Sequence, residues 1–356
     1  MKANQLAFVF LITLACILIV WAFSTLPLDQ PGQAVDWKVF YQSTHQFQIS
    51  YPGNRVYNPP WVLVLLWPLT ILSLPMSRGL AALVTLAVFF ISVPRINDRV
   101  KWASSVLLLL FSYPMIRHLM DGNLEAMIVG GVLLALYSMR KQSVVLMVVS
   151  LILLSSKVQE SWLFVFALVL LLWRDWPRKP AFQSLLGAGI FALPFFIWKG
   201  AEWQAALQVF PYSQTAIDSN LLFVLAKLGV NEWIAWTAWA GILATTLYVL
   251  AYPKIGLDRS RAAFLIIAGL MLSNYAAGDS LVTPLALGVI PFFQRKPWIG
   301  FSLVMLYFLP YSALTDIQLR LAWENVYWAG VLLITWALLA WELIEMQRQV
   351  TKPLSA

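Results

Sequence analysis

Residues 6–26 read LAFVFLITLACILIVWAFSTL, a continuous apolar run that decides the class of fold. A helix over this run is long enough to cross the roughly 30 Å hydrocarbon core of a bilayer. Further apolar runs follow at about 59–75, 78–94, 102–116, 124–139, 143–156, 161–174, 181–198, 232–252, 262–275, 281–294, 298–313 and 325–345. The sequence therefore predicts an all-α polytopic membrane protein with about 12–13 transmembrane helices.

The composition agrees with this class. Of the 356 residues, 61% are hydrophobic and only 11% are charged, whereas soluble domains carry about 25% charged residues. Continuous apolar runs also exclude an outer-membrane barrel, whose segments alternate and are short. We expect one integral-membrane domain over 1–356, made of a first outer loop (27–58), core spans (59–175) and C-terminal spans (176–356).

The basic residues predict the orientation. Of the 24 Lys and Arg residues, 16 fall in clusters that the positive-inside rule assigns to the cytoplasm. This explains the net charge of +8 without a nucleic-acid partner, and it predicts a multi-pass cell-membrane protein with both termini cytoplasmic. An even number of crossings then requires that one run does not cross. The run 59–75, opened by two prolines and interrupted by Pro68, is the candidate for a re-entrant segment.

In the first outer loop, four aromatic residues and one threonine recur at helical spacing: Trp37, Phe40, Tyr41, Thr44 and Phe47. This pattern predicts a helix that lies in the membrane interface. Asp36 stands at its start and has two interpretations. It is an N-cap, because Asp is a preferred capping residue, or it is a general base that takes a proton from a sugar hydroxyl.

Three further outer segments carry polar side chains. Four ionisable side chains and one amide crowd between two apolar runs: Arg117, His118, Asp121, Glu125 and Asn123. Such groups at membrane depth indicate function, and a solvated turn broken by glycine is the alternative; Glu125 is expected to be buried in the next span. Asn274 and Asp279 belong to another outer turn, which is either part of the functional site or only a polar connection between two spans.

Lys157 lies on the outer side, against the charge bias. It is placed to bind a lipid phosphate as a point charge, or it snorkels to the surface and pairs with Glu160. One cysteine and two histidines exclude an intrachain disulfide and a metal centre built from Cys or His. The sequence has no P-loop and no HExxH, GxSxG or GxGxxG motif, so substrates are expected to arrive through the bilayer or from outside.

The order of these features resembles the polytopic GT-C glycosyltransferases, and most closely the mannosyltransferase-like glycosyltransferase family 87. The resemblance covers about residues 30–175 and rests on Asp36, Phe40-Tyr41, Tyr57-Asn58-Pro59-Pro60, Pro68-Leu69, Leu74-Pro75, Asp121-Gly122-Asn123 and Lys157. Family members often carry Gly-Gln at the position of Gly122-Asn123, and a proline shortly after the lysine, which this chain lacks.

The resemblance implies a transferase that moves a hexose such as mannose from a polyprenyl-phosphate donor to a lipid or glycan acceptor on the extracytoplasmic face. It makes Asp36 the base and Lys157 a contact to the donor phosphate, with no cofactor and no indicated divalent metal. The other expected substrate contacts are Tyr41, Asn58, Arg117, His118, Asp121, Asn123, Glu125, Gln159, Asn274 and Asp279. The rival functions are a lipid-linked carrier or flippase, which requires charges in mid-span, and a non-catalytic membrane scaffold.

Overall fold

The computed structural model describes residues 3–27, 35–51, 54–208, 219–251, 256–273, 278–310 and 317–351. These ranges are almost wholly helical, which confirms the all-α class. The helices are α1 (Ala3–Thr25), α2 (Val35–Gln46), α3 (Trp61–Thr70), α4 (Leu74–Ser92), α5 (Arg99–Leu110), α6 (Tyr113–Asp121), α7 (Glu125–Lys141), α8 (Val144–Leu154), α9 (Val158–Asp175), α10 (Arg178–Gln208), α11 (Leu221–Lys227), α12 (Glu232–Ala251), α13 (Arg259–Leu272), α14 (Val282–Pro284), α15 (Ile290–Arg295), α16 (Pro297–Leu306) and α17 (Ile317–Thr351).

Shorter elements complete the chain. Two 3₁₀ turns cover Ser155–Lys157 and Gly278–Leu281, and a π-helical turn covers Leu285–Val289. Two short strands, β1 (Ser50–Tyr51) and β2 (Asn54–Arg55), pair antiparallel, with Ser50 opposite Arg55.

Five helical segments of the described chain are long and apolar enough to cross a membrane, and the pair α5–α6, bent by 50°, makes a sixth if it counts as one span. The five are Leu74–Ser92, Val144–Asp175, Arg178–Gln208, Glu232–Ala251 and Trp323–Gln349. Within the described residues, this is fewer than the 12–13 crossings predicted. Several apolar runs form short helices instead; α3 and α16 have ten residues each, or about 15 Å of helix.

The run 59–75, predicted not to cross, forms only α3, with Pro68 inside it. A helix of that length does not reach across the hydrocarbon core by itself, and whether the run is re-entrant stays a prediction. The bend between α5 and α6 is a second irregular place that the sequence did not indicate.

The segment Val144–Asp175 is interrupted at Lys157, so the span that it could form by length and composition consists of α8 and α9 and is not one uninterrupted helix. The backbone of Lys157 is extended, with φ −131° and ψ 78°. Helix α8 runs antiparallel to α7, since the Ser150 hydroxyl donates to the Gly131 carbonyl at 2.8 Å. Helix α9 runs back along α13, and the Trp162 indole donates to the Gly269 carbonyl at 3.1 Å.

Helix α13 is the centre of the protein interior. Every residue from Ser260 to Leu272 is buried, and α9, α12 and α17 pack around it. The side chain of Asp258 caps its first turn by accepting from the Arg261 backbone N–H at 2.9 Å. Gly269 permits the close approach of α9, because a Cβ there would lie 2.9 Å from the Glu160 carbonyl oxygen.

The two ends of the bundle differ in charge. Arg140 ends α7 and lies close enough to Arg259, at the start of α13, for the two guanidinium groups to repel each other. About 22 Å of helix separates Arg140 from Glu125 at the other end of α7, where the predicted site residues gather. This separation matches the predicted grouping of charges; which end is cytoplasmic remains a prediction.

Helix α2 forms where the aromatic spacing predicts it, and its apolar side is buried. That side packs on protein, however, in a cluster with residues of α3: Trp37 and Phe40 are buried together with Val62, Leu63 and Leu66. Placement of α2 in the membrane interface is therefore not shown.

Candidate functional site

The first feature of the site is the contact between the start of α2 and the turn that joins α6 to α7. Asp36 is half-buried in the first turn of α2, and its Oδ2 accepts a hydrogen bond from Asn123 Nδ2 at 2.9 Å. The Asn123 amide is oriented by its other end, since its Oδ1 accepts from the Leu124 backbone N–H at 2.8 Å. The first turn of a helix also stabilises a carboxylate through the helix dipole, so a structural contribution of Asp36 agrees with its position.

Gly122 allows this contact to form. Its φ of 72° lies in the left-handed region, where glycine is favoured. A Cβ at this position would lie 2.4 Å from Cβ of Trp37, which follows Asp36 on α2. Trp37 is only 3% exposed, so the glycine sets how closely α2 approaches the turn.

An ion pair between Arg117 and Asp121 lies in the last turn of α6, which ends directly before this glycine. Arg117 Nε is 2.8 Å from Asp121 Oδ2, and the arginine side chain keeps 28% exposure. Its Nη1 lies 3.4 Å from the Tyr113 hydroxyl and 3.9 Å from Glu324 of α17. Two predicted residues, Arg117 and Asp121, are thus brought together beside Asn123.

Arg78 of α4 stabilises the same region through hydrogen bonds to three backbone carbonyls. It is 2% exposed, and its guanidinium donates to the carbonyls of Leu26 and Pro27 at 3.2 Å and of Met120 at 3.1 Å. Arginine presents several donors in a rigid fork, which suits this three-way bridge. Nothing in the sequence marked Arg78 for this role.

Close to the turn between α6 and α7 lies a buried cluster of four ionisable side chains and one hydroxyl group: His118, Glu125, Lys157, Glu160 and Ser280. Lys157 Nζ contacts Glu125 Oε1 and lies 2.7 Å from Glu160 Oε1. His118 Nδ1 lies 2.7 Å from Glu125 Oε2. The Ser280 hydroxyl lies 2.5 Å from Glu160 Oε1 and 3.4 Å from Glu125 Oε1. Helices α6, α7 and α9 and both 3₁₀ turns therefore meet at one point.

The cluster is almost completely withdrawn from solvent. Exposure is 1% for His118, 0% for Glu125 and Glu160, and 5% for Lys157. The burial expected for Glu125 is confirmed. Charges at such a depth are strongly penalised unless they are paired and hydrogen-bonded.

Lys157 differs from its predicted position. It pairs with Glu160, as the structural alternative held, but it is buried rather than snorkelling to the surface. Two carboxylates already occupy its ammonium, so a donor phosphate could reach it only by displacing them. The sequence did not indicate this, because Glu125 lies 32 positions away along the chain.

The other predicted residues hold the surrounding elements together. The Tyr41 hydroxyl donates to the Leu72 carbonyl at 2.8 Å, and Asn58 Nδ2 donates to the Ser156 carbonyl at 2.8 Å. Gln159 is half-buried at the start of α9. Asn274 and the side chain of Asp279 lie outside the described residues.

Glu160 and Ser280 belong to the buried cluster although neither was predicted as a site residue. The spacing of three between Lys157 and Glu160 was an available signal, whereas nothing in the sequence marks Ser280. Among the described side chains, no three His, Cys, Asp or Glu residues are arranged to hold a metal ion.

No protein-family model, curated protein or solved structure matches this chain. A function for it rests on the sequence motifs and on the site geometry.

Proposed function

We propose that this protein is an integral-membrane glycosyltransferase that moves a sugar from a polyprenyl-phosphate donor to a lipid or glycan acceptor at the membrane surface. The observation that supports it most is the Asp36 carboxylate, half-buried and held by Asn123 at one end of a bundle of apolar helices. A fixed carboxylate beside a membrane is suited to receive a proton from an acceptor hydroxyl.

The reaction is a direct displacement at the anomeric carbon. The acceptor hydroxyl attacks this carbon and gives its proton to Asp36, while the bond from the carbon to the phosphate oxygen breaks. The polyprenyl phosphate leaves with the bonding electron pair. Phosphate needs little acid assistance as a leaving group, so a single carboxylate base suffices, unlike the carboxylate pair of hydrolytic glycosidases.

The donor phosphate is assigned to Arg117 rather than to Lys157. Arg117 keeps 28% side-chain exposure beside the Gly122–Asn123 turn, whereas Lys157 is enclosed with two carboxylates. A guanidinium recognises phosphate through two parallel N–H donors. Movement of Asp121 away from Arg117 would open that pair of donors to the phosphate.

The test is sugar transfer by purified Asp36→Asn protein with a polyprenyl-phosphate sugar as donor. Asn preserves side-chain volume and stabilises helix starts about as well as Asp, but it cannot accept the proton. Transfer should fall by about 10²–10⁴ without loss of folding, which is the usual contribution of general-base catalysis. Unchanged transfer in the folded variant would remove the proposal.

The matched control is Asp98→Asn. Asp98 caps α5 by accepting from the Lys101 backbone N–H at 2.9 Å, and this cap lies away from the site. Its transfer rate should equal that of the wild type, which separates loss of a base from loss of a capping carboxylate.

A lipid-linked carrier without chemistry is the second candidate, and the buried cluster favours it. Ionisable groups enclosed between helices often line a transport path, and Glu125, Lys157 and Glu160 are of this kind. Protein reconstituted in vesicles separates the two. A carrier should move a labelled polyprenyl-phosphate sugar across the bilayer in both wild type and Asp36→Asn, with no new glycosidic bond formed.

A further inference from the structure

The charges of the buried cluster do not balance. Glu125 and Glu160 are opposed by one ammonium, that of Lys157, and by the imidazole of His118. With both carboxylates ionised and the imidazole neutral, the cluster would hold one net negative charge at 0–5% exposure. A proton restores neutrality, and a buried group gains it in preference to remaining charged.

The described neighbours do not supply the missing positive charge. Helix α6 offers Arg117, which is already paired with Asp121 at 2.8 Å. Helix α4 presents the Phe89 ring, and α13 presents the backbone of Gly269. The basic residues of α13 lie at its opposite end. Among the residues that the structure describes, the cluster itself is therefore the place for the compensating proton.

His118 is poorly placed to carry this proton. Its Nδ1 already faces Glu125, while its Nε2 is buried with no hydrogen-bond partner in the structure. The ring meets Phe89 edge-on, with centroids 5.8 Å apart. An imidazolium has two N–H donors, and no described group is placed to accept from the second, Nε2.

Of the two carboxylates, Glu160 is the better carrier. Glu125 is contacted by both Lys157 and His118, which stabilises its ionised form. Among the described residues Glu160 has only Lys157 as a basic partner, while the Oε2 atoms of both carboxylates are buried without a hydrogen bond. The Ser280 hydroxyl reaches both carboxylates, so it can accept from a protonated Glu160 while it donates towards Glu125.

We infer that the buried cluster is a proton-binding site that holds one exchangeable proton on Glu160. The proton comes from bulk water and returns to it, so no covalent bond other than O–H forms or breaks. The site goes beyond the proposed sugar transfer and does not depend on it. It lies directly under the turn that carries Asn123, and loss of the proton leaves an uncompensated charge beneath that turn.

Infrared spectroscopy of the full chain in lipid vesicles tests this inference, through the C=O stretching band of a protonated carboxyl group. The wild type should show the band near neutral pH, well above the ordinary Glu pKa of about 4.3, and should lose it at high pH. Glu160→Gln should lack the neutral-pH band. His118→Asn should retain it, and so should Glu232→Gln, the control at an exposed carboxylate of α12.

Lys157→Met gives a second, opposite test. Removal of the ammonium leaves two carboxylates to be neutralised, so the band intensity at neutral pH should double. A wild type without the band at neutral pH would overturn the inference, and so would a band that survives Glu160→Gln. The wild-type titration needs no variant and no substrate, so it decides whether a carboxyl is protonated even if the variants misfold or sugar transfer is absent.

Discussion

Gly122→Ala should loosen the contact between α2 and the turn that carries Asn123. The φ of 72° costs a residue with a Cβ about 1–2 kcal/mol. The new methyl group would also start 2.4 Å from Cβ of Trp37, which requires a backbone shift, and such overpacking costs about 1–3 kcal/mol. The expected loss in the free energy of unfolding is therefore about 2–5 kcal/mol.

Gly229→Ala is the matched control. Gly229 has nearly the same backbone, with φ 73°, but a Cβ there would meet nothing within 4 Å. It should lose only the backbone part, about 1–2 kcal/mol. Chemical denaturation of the purified variants in detergent micelles, followed by tryptophan fluorescence, gives both free energies. Only Gly122→Ala should also reduce sugar transfer, because it displaces Asp36.

A double-mutant cycle with Trp37→Gly completes the test. This substitution removes the Cβ of Trp37 that the new methyl group would strike, so Gly122→Ala should be less destabilising in that background. Equal losses for the two glycine variants would refute the reasoning, because the steric part would then be absent. Strict additivity of Gly122→Ala and Trp37→Gly would refute it as well.

Three other predictions follow from the described contacts. Arg78→Met should destabilise the protein by about 3 kcal/mol or more, because it leaves three carbonyls without their donor; Tm in detergent is the measurement. Ser150→Ala should lose about 0.5–1.5 kcal/mol, since only one hydrogen bond between α7 and α8 is removed. In a Cys16→Ser background, cysteines near Asp36 should be labelled from the membrane side opposite to cysteines near Arg140, and labelling from one side would contradict the topology.

The local features of the fold could be read from the sequence. The aromatic spacing after Asp36 predicted α2 and its buried side, and the apolar run after Asn123 predicted the burial of Glu125. Both predictions rest on hydrophobic periodicity and on the unfavourable free energy of exposing apolar surface. Residues that are close together in the sequence are enough to make them. The number of crossings could not be read in this way, because an apolar helix such as α13 is equally stable against lipid and against other helices.

The features of the site that could not be predicted depend on contacts between residues far apart in the sequence. Glu160 and Ser280 are 120 positions apart, and only the packed bundle brings them together. Lys157 illustrates the same limit, since its position between two apolar runs was correct while its surroundings were not. A local pattern indicates that a lysine ends a helix, but it does not indicate whether solvent or two carboxylates will surround its ammonium.

The enclosure of α13 has a consequence for biosynthesis. A helix of 14 residues is too short to partition stably across a bilayer by itself, and its neighbours α9 and α17 lie on either side of it in the chain. Ribosomal synthesis delivers α9 early and α17 last, so α13 reaches its final surroundings only after the C-terminal helix has been made. Truncation within α17 should therefore leave α13 without one of the three helices that pack around it and expose the chain to membrane quality-control proteases.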